Sequence, residues 1–170
     1  MIITIHNVSP RWGNNCFIAP NATLIGDVVL GDECSVWFNT VVRGDVHQIR
    51  IGNRVNIQDH AIIHCSYQKA AVYIGNGVSI GHRAIVHGCT LHDHVLIGMG
   101  AIVMDNALVE SGSIVAAGAV VLENTHIEAN CIYAGIPARK VKQIDAEQTA
   151  AHIKRLADNY MLYASWYNLP

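Results

Sequence analysis

An aliphatic residue recurs every six positions along most of this chain, and that period restricts the available folds more than any other feature. One run is Ile18, Leu24, Leu30, Val36 and Val42; two shorter ones are Ile51, Ile57, Ile63 and Ile74, Ile80, Val86. The longest goes from Leu91 through Ile97, Val103, Val109, Val115, Val121 and Ile127 to Tyr133. Four residues after nearly every one stands a small or β-branched side chain, such as Ala22, Cys34, Ala61, Ala84 or Ala101. A helix needs a period of about 3.6 and an alternating strand a period of about two. Six suits a solenoid of short strands, each ending at a corner, with the aliphatic side chain inward and the small one filling the crowded turn. Gly and Asn tolerate the backbone angles of such corners. Three sides close one triangular coil, and coils stack at roughly 4.8 Å, each burying its neighbour's apolar face. The nineteen units make a little over six coils. The expected fold is an all-β solenoid over residues 1–140, of a hand that spacing alone does not set.

Ile136-Pro137 ends the pattern. Asp145 is a good N-cap, with Gln148 as capping-box partner. A helix over 146–167 follows, with an apolar stripe of Ala150, Ile153, Leu156, Ala157, Tyr160, Met161, Tyr163 and Ala164. Residues 141–170 are expected to pack this helix along the outside of the prism.

Half of the 170 residues are apolar, 14% are charged, and the net charge is −2 with no Lys/Arg block. That balance argues against nucleic acid or an anionic membrane as partner. The start of the chain has no basic leader, and no apolar run approaches a membrane span. Five cysteines without a close pair point to a reducing cytoplasm, not a disulfide scaffold.

The six-residue phase slips three times, between Val42 and Ile51, between Ile63 and Ile74, and between Val86 and Leu91. The unusual polar residues gather there. With the sides labelled a, b and c from Ile18, side b receives Val42, Ile63 and Val86 on successive coils. Arg43, His64 and His87 follow them and should stack on its outer surface. Side a receives Ile57 and Ile80, placing Asp59 over His82. His64 and His87 are then close enough to chelate one ion, whereas His82 lies on the preceding side. Three prisms around a threefold axis would bring His82 of one chain to His64 and His87 of the next. Three neutral imidazoles suit Zn²⁺, with Fe²⁺ or Co²⁺ also possible, and leave a position for water. A metal lowers that water's pKa from about 15.7 towards about 7.

Asp59 and Asp45 are plausible carboxylates behind the histidines. Arg43 and Asp45 read either as a solvated pair or as a bridge across the subunit seam, and their phase with the histidines favours the bridge. Gln58, supported by Asn56, either bonds the metal's water or a substrate oxygen, or is a corner amide bonded to its own backbone. His60 and His92 are secondary candidates, the remaining histidines default to solvent or corners, and Cys65 and Cys89 are read as packing.

The stretches Val41–Asp45 (VVRGD), Asn56–His64 (NIQDHAIIH), Gly81–Cys89 (GHRAIVHGC), Ile97–Ala101 (IGMGA) and Tyr133–Arg139 (YAGIPAR) carry a resemblance. The chain resembles the γ-class carbonic anhydrase-like proteins of the hexapeptide-repeat superfamily. That resemblance implies a left-handed parallel β-helix and a homotrimer. It implies zinc held by His64 and His87 of one subunit and His82 of the next, with Arg43, Asp45, Gln58 and Asp59 at the seam or pocket. Tyr133 falls where the family has a pocket tyrosine. The implied activity is that of a carbonate dehydratase-like lyase, reversible hydration of CO₂ to bicarbonate by a metal-bound hydroxide. Alternatives are a metal-dependent acyl-CoA thioesterase, a metal-free hexapeptide acyltransferase and a metal-binding scaffold. Val46 stands where the family's archetype has a catalytic glutamate, and the loop after His64 lacks its acidic insertion.

Overall fold

The computed structural model describes residues 1–167, apart from the side chains at positions 148 and 150. Its short parallel strands wind into a three-sided solenoid of about seven coils with one C-terminal helix, a left-handed parallel β-helix. The aliphatic residues of the six-residue repeat all point inward, and side chains from Leu24 to Ile127 form one continuous buried column. Side a runs Ile18, Val36, Ile57, Ile80, Ile97, Val115, Tyr133 in parallel register.

The coil count exceeds the sequence expectation because the winding begins earlier. Ile2–Ile3 pairs with Leu24 and Ile25, and Arg11–Trp12 pairs with Val29 and Leu30, so two sides precede Ile18. Trp12 lies six residues before Ile18 and is followed by Gly13, so it belongs to the repeat. Its bulky aromatic ring hides it from an aliphatic pattern.

The corner between sides c and a shows how the coils lock. Gly13, Gly31, Gly52 and Gly75 stack there, each followed by Asn or Asp. From Asp32 on, the side-chain oxygen of each Asx accepts the backbone N–H of its counterpart one coil earlier, Asp32 taking that of Asn14 at 2.6 Å. Asn53 takes the Asp32 N–H at 2.8 Å, Asn76 takes the Asn53 N–H at 2.9 Å, and Asp93 takes the Asn76 N–H at 2.7 Å. The oxygen sits where a glycine side chain would be, since a Cβ at Gly52 would lie 2.7 Å from Asn76 Oδ1. His60 and His94 occupy corner positions with positive φ.

After the cis Ile136-Pro137 bond, Arg139–Gln143 turns back as an exposed antiparallel strand beside Cys131–Ala134. The sequence pattern contains no hint of this return strand. The helix, α1, spans Ala146–Ser165 and so ends two residues before the expected boundary. Asp145 precedes it, and the Asp145 carbonyl accepts the Thr149 N–H at 3.1 Å, as a helix-capping residue's does. The Gln148 half of the expected capping box and the Ala150 side chain of the stripe lie outside the described residues.

The helix starts beside the last coil and runs back along side a to the first. Ile153 and Ala157 are buried, Tyr160 packs edge-on to Trp37 at 5.4 Å, and Arg54 pairs with Asp158. Beneath it Asn56 donates to Ser79 at 2.6 Å and Gln58 donates to Asn56 at 3.0 Å, a buried polar file with its donors and acceptors matched.

Candidate metal centre

The three slips of the repeat make the site possible. Between Gly44 and Ile49, the segment Asp45–Gln48 bulges out opposite Asp27 alone. Between His64 and Val72 a short loop is clasped by the Ser66–Ala70 bridge. After His87 the chain turns at once through Gly88, whose φ of 53° suits a residue without Cβ. Side b between these slips stays in register, with Arg43 beside His64 and His64 beside His87. The expected stacking is what the strands form.

The two imidazoles meet with His64 Nδ1 3.0 Å from His87 Nε2. Each ring's other nitrogen faces a carboxylate, His64 Nε2 at 3.2 Å from Asp45 Oδ1 and His87 Nδ1 at 2.5 Å from Asp105 Oδ1. Burial alone would raise the pKa of either acid. Hydrogen bonds from Arg43 and His64 hold Asp45 below the ordinary carboxylate value, and bonds from Ser66 and His87 do the same for Asp105. Both acids are therefore ionised near neutrality and can only accept. The ring protons must sit on His64 Nε2 and His87 Nδ1. Burial, aided by the charge of Arg43, lowers the His64 pKa against the pull of Asp45, so this ring stays neutral.

With both rings neutral, two nitrogen lone pairs face each other at 3.0 Å, an arrangement that repels unless a cation or a proton lies between them. Two ligands on one tetrahedral zinc, at about 2.0–2.1 Å each, stand roughly 3.3–3.4 Å apart. The donor set and its spacing fit such an ion. Among the described residues, no three His, Cys, Asp or Glu side chains form a group that could hold a metal ion within the chain.

His82 lies on the neighbouring side, with Nδ1 2.9 Å from Asp59 Oδ2, so Asp59 and His82 are brought together as expected. This pairing engages Nδ1 and not Nε2. The His82 side chain is 43% exposed, against 34% for His87 and 16% for His64, so it is the most open of the three.

The remaining candidate residues take these positions within the chain. The Arg43–Asp45 bridge closes within one chain, Nη1 to Oδ2 at 2.7 Å, because both side chains leave the same face of one strand. Asp45 thereby links Arg43 to His64. Gln58 is buried, and its amide oxygen accepts the His82 backbone N–H at 3.2 Å. It bonds backbone, but that of His82 and not its own, so it steadies the His82 turn. Tyr133 does not join the histidines. It takes an inward position on the last coil, well beyond Ile80, and closes the core with its hydroxyl 3.5 Å from Glu128. Cys65 and Cys89 are buried free thiols, and burial pushes Cys65 up to about 11.

Asp105 is not conspicuous in the sequence because it sits at an ordinary corner of the repeat. The available signal is its place one coil beyond His87, directly over Gly88.

This architecture defines a hexapeptide-repeat β-helix carrying paired histidines on one wall. Residues 13–44 and 88–123 match the bacterial transferase hexapeptide (six repeats) family. A carbonic anhydrase of Geobacillus kaustophilus is 38% identical over 167 residues, covering 98% of this chain and 91% of that protein. The mitochondrial gamma carbonic anhydrase 2 of Arabidopsis thaliana is 36% identical over 165 residues; the match takes in 94% of this chain and 59% of that protein. In three dimensions a hexapeptide transferase family protein from Anaplasma phagocytophilum superposes with a TM-score of 0.92 at 37% identity over 98% of each chain. The chain belongs to the γ-class carbonic anhydrase-like family of hexapeptide-repeat proteins.

Proposed function

We propose that the protein is a metal-dependent lyase that hydrates CO₂ reversibly to bicarbonate, at sites between the subunits of a homotrimer. The observation that carries this reading is the 3.0 Å approach of His64 Nδ1 and His87 Nε2, each ring's proton directed outward to a carboxylate. His64 and His87 of one subunit and His82 of the next would hold the ion, zinc first, with iron or cobalt compatible with the same donors. Such an ion supplies a Lewis acid that brings a water's pKa down towards about 7. The chain's own residues do the rest. Asp45 and Asp59 fix the ring orientation of His64 and His82, Gln58 steadies the His82 turn from beneath, and Arg43 holds Asp45 ionised. The resemblance to proteins called carbonic anhydrase along nearly the whole chain supports this substrate.

A second reading is acyl transfer or acyl-CoA hydrolysis. It is favoured by the Anaplasma relative's place among hexapeptide transferases and by Val46 standing where the family's archetype has its catalytic glutamate. The test is elemental analysis of protein purified without oxygen, followed by stopped-flow CO₂ hydration with zinc and with iron, and acyl-CoA turnover in parallel. CO₂ hydration that follows metal content supports the first reading. Acyl transfer in metal-free protein replaces it, and a stable monomer with a full metal complement refutes the shared site.

A further inference from the structure

We propose that Asp105 is the positioning residue that keeps His87 ready for a cation, and that Ser66 and Gly88 hold Asp105 in place. The inference rests on the three-histidine reading above. Asp105 Oδ1 stands 2.5 Å from His87 Nδ1, and its other oxygen accepts the Ser66 hydroxyl. The carboxylate occupies the space a side chain at Gly88 would need, where a Cβ would also lie 2.7 Å from Ala70 Cβ.

The pairing departs from the corner ladder in a telling way. Asp32, Asn53, Asn76 and Asp93 also stand over glycines, yet their oxygens accept backbone N–H groups of the neighbouring coil. Asp105 keeps the position but turns both oxygens to side chains, an imidazole and a hydroxyl. Ser66 belongs to the short loop that follows His64. The same contact therefore ties the loop leaving one histidine to the carboxylate behind the other. An acceptor fixed at Nδ1 holds the proton there and leaves Nε2 bare, the form in which imidazole binds a metal. Without Asp105 the ring is free to rotate and to carry its proton on Nε2, where it blocks the site.

Two measurements on the full-length protein test this. Nitrogen-15 NMR of the metal-free protein reads the His87 ring directly: the Nδ1 site fully protonated in the wild type, and the proton shared between the two nitrogens in Asp105→Ala. Chelator competition reads zinc affinity, which should fall about 10–100-fold in Asp105→Ala and Asp105→Asn, the scale of outer carboxylate losses, and less in Ser66→Ala. Asp105→Asn keeps the volume over Gly88, so it guards against a result caused by misfolding. Glu110→Gln breaks a similar acid–imidazole pair, Glu110 to His126 at 2.7 Å, far from the site and should leave zinc affinity unchanged. Affinity within about twofold of wild type in both Asp105 variants overturns the assignment, as does an unchanged His87 tautomer in Asp105→Ala. If the wild type takes up no zinc, the metal reading itself fails, and the NMR result alone then decides the role of Asp105.

Discussion

The c/a corner and the side b wall use one local device to different ends. At the corner, an Asx oxygen fills the hole over a glycine and accepts a backbone N–H, as Asn76 does over Gly52. On the wall, Asp105 fills the hole over Gly88 and accepts from His87 and Ser66. The first arrangement repeats coil after coil and locks the stack. The second occurs where the repeat has slipped, and there the side chain that would have locked the coil is released to orient a ligand. The match to the six-repeat family stops at residue 44 and resumes at residue 88. The candidate ligands His64, His82 and His87 fall in that interval. A regular hexapeptide satisfies its own backbone, so chemistry enters this fold by interrupting it.

The sharpest way to break the comparison is His82→Ala. If the wall is a site and the corner is scaffold, this change reduces zinc to background in elemental analysis and leaves the thermal transition of the metal-free protein in place. Unchanged zinc would place the ion elsewhere. A paired glycine experiment comes next. Gly52→Ala drives a methyl against Asn76 Oδ1 and the Gly75 carbonyl carbon at 2.9 Å, so the stack must shift. The expected cost is about 1–3 kcal/mol by denaturant titration, with zinc affinity unaltered. Gly88→Ala adds left-handed strain of about 1–2 kcal/mol at φ 53° and also displaces Asp105. It should therefore lose stability and zinc affinity together. Equal zinc affinity in the two variants would erase the distinction between corner and wall.

Much of the wall is legible in the amino-acid order alone. The six-residue period puts Arg43, His64 and His87 on one side because a solenoid has a fixed number of residues per side, and the strand register agrees. The hidden features are set by contacts between coils or by residues outside the pattern. Trp12 forms a side of the first coil in an aromatic disguise. Arg139–Gln143 pairs through its backbone with all five side chains exposed, so no apolar signal marks it. Tyr133 continues the inward column, and its position in the repeat points to the core, whereas the family resemblance points to a pocket. Asp105 is informative only once Gly88 is known to lie beneath it.

The smallest predicted effect concerns pH, and it separates the two regions by their chemistry. The rungs Asn53 and Asn76 have no proton to exchange, so that part of the corner should be indifferent to acid. On the wall, burial and its charged neighbours keep the folded His64 pKa below its ordinary 6.5. As the pH falls, the unfolded chain binds this proton first. Unfolding free energy therefore declines from about 6.5 downward through the folded value and is independent of this group above it. Asp45 and Asp105 act with the same sign in a lower window. Their stabilisation is present above 3.8 and is lost as the pH falls through their depressed folded values. Urea midpoints of metal-free wild type and His64→Gln, compared from about pH 8 to 5, should run together above about 6.5 and diverge below it, with the wild type falling faster. Zinc-loaded protein should show a steeper fall in the same range, because protonated imidazole cannot bind metal. Parallel curves for wild type and variant would mean that His64 titrates as an ordinary solvent-facing histidine, one whose Nδ1 is not held bare towards His87.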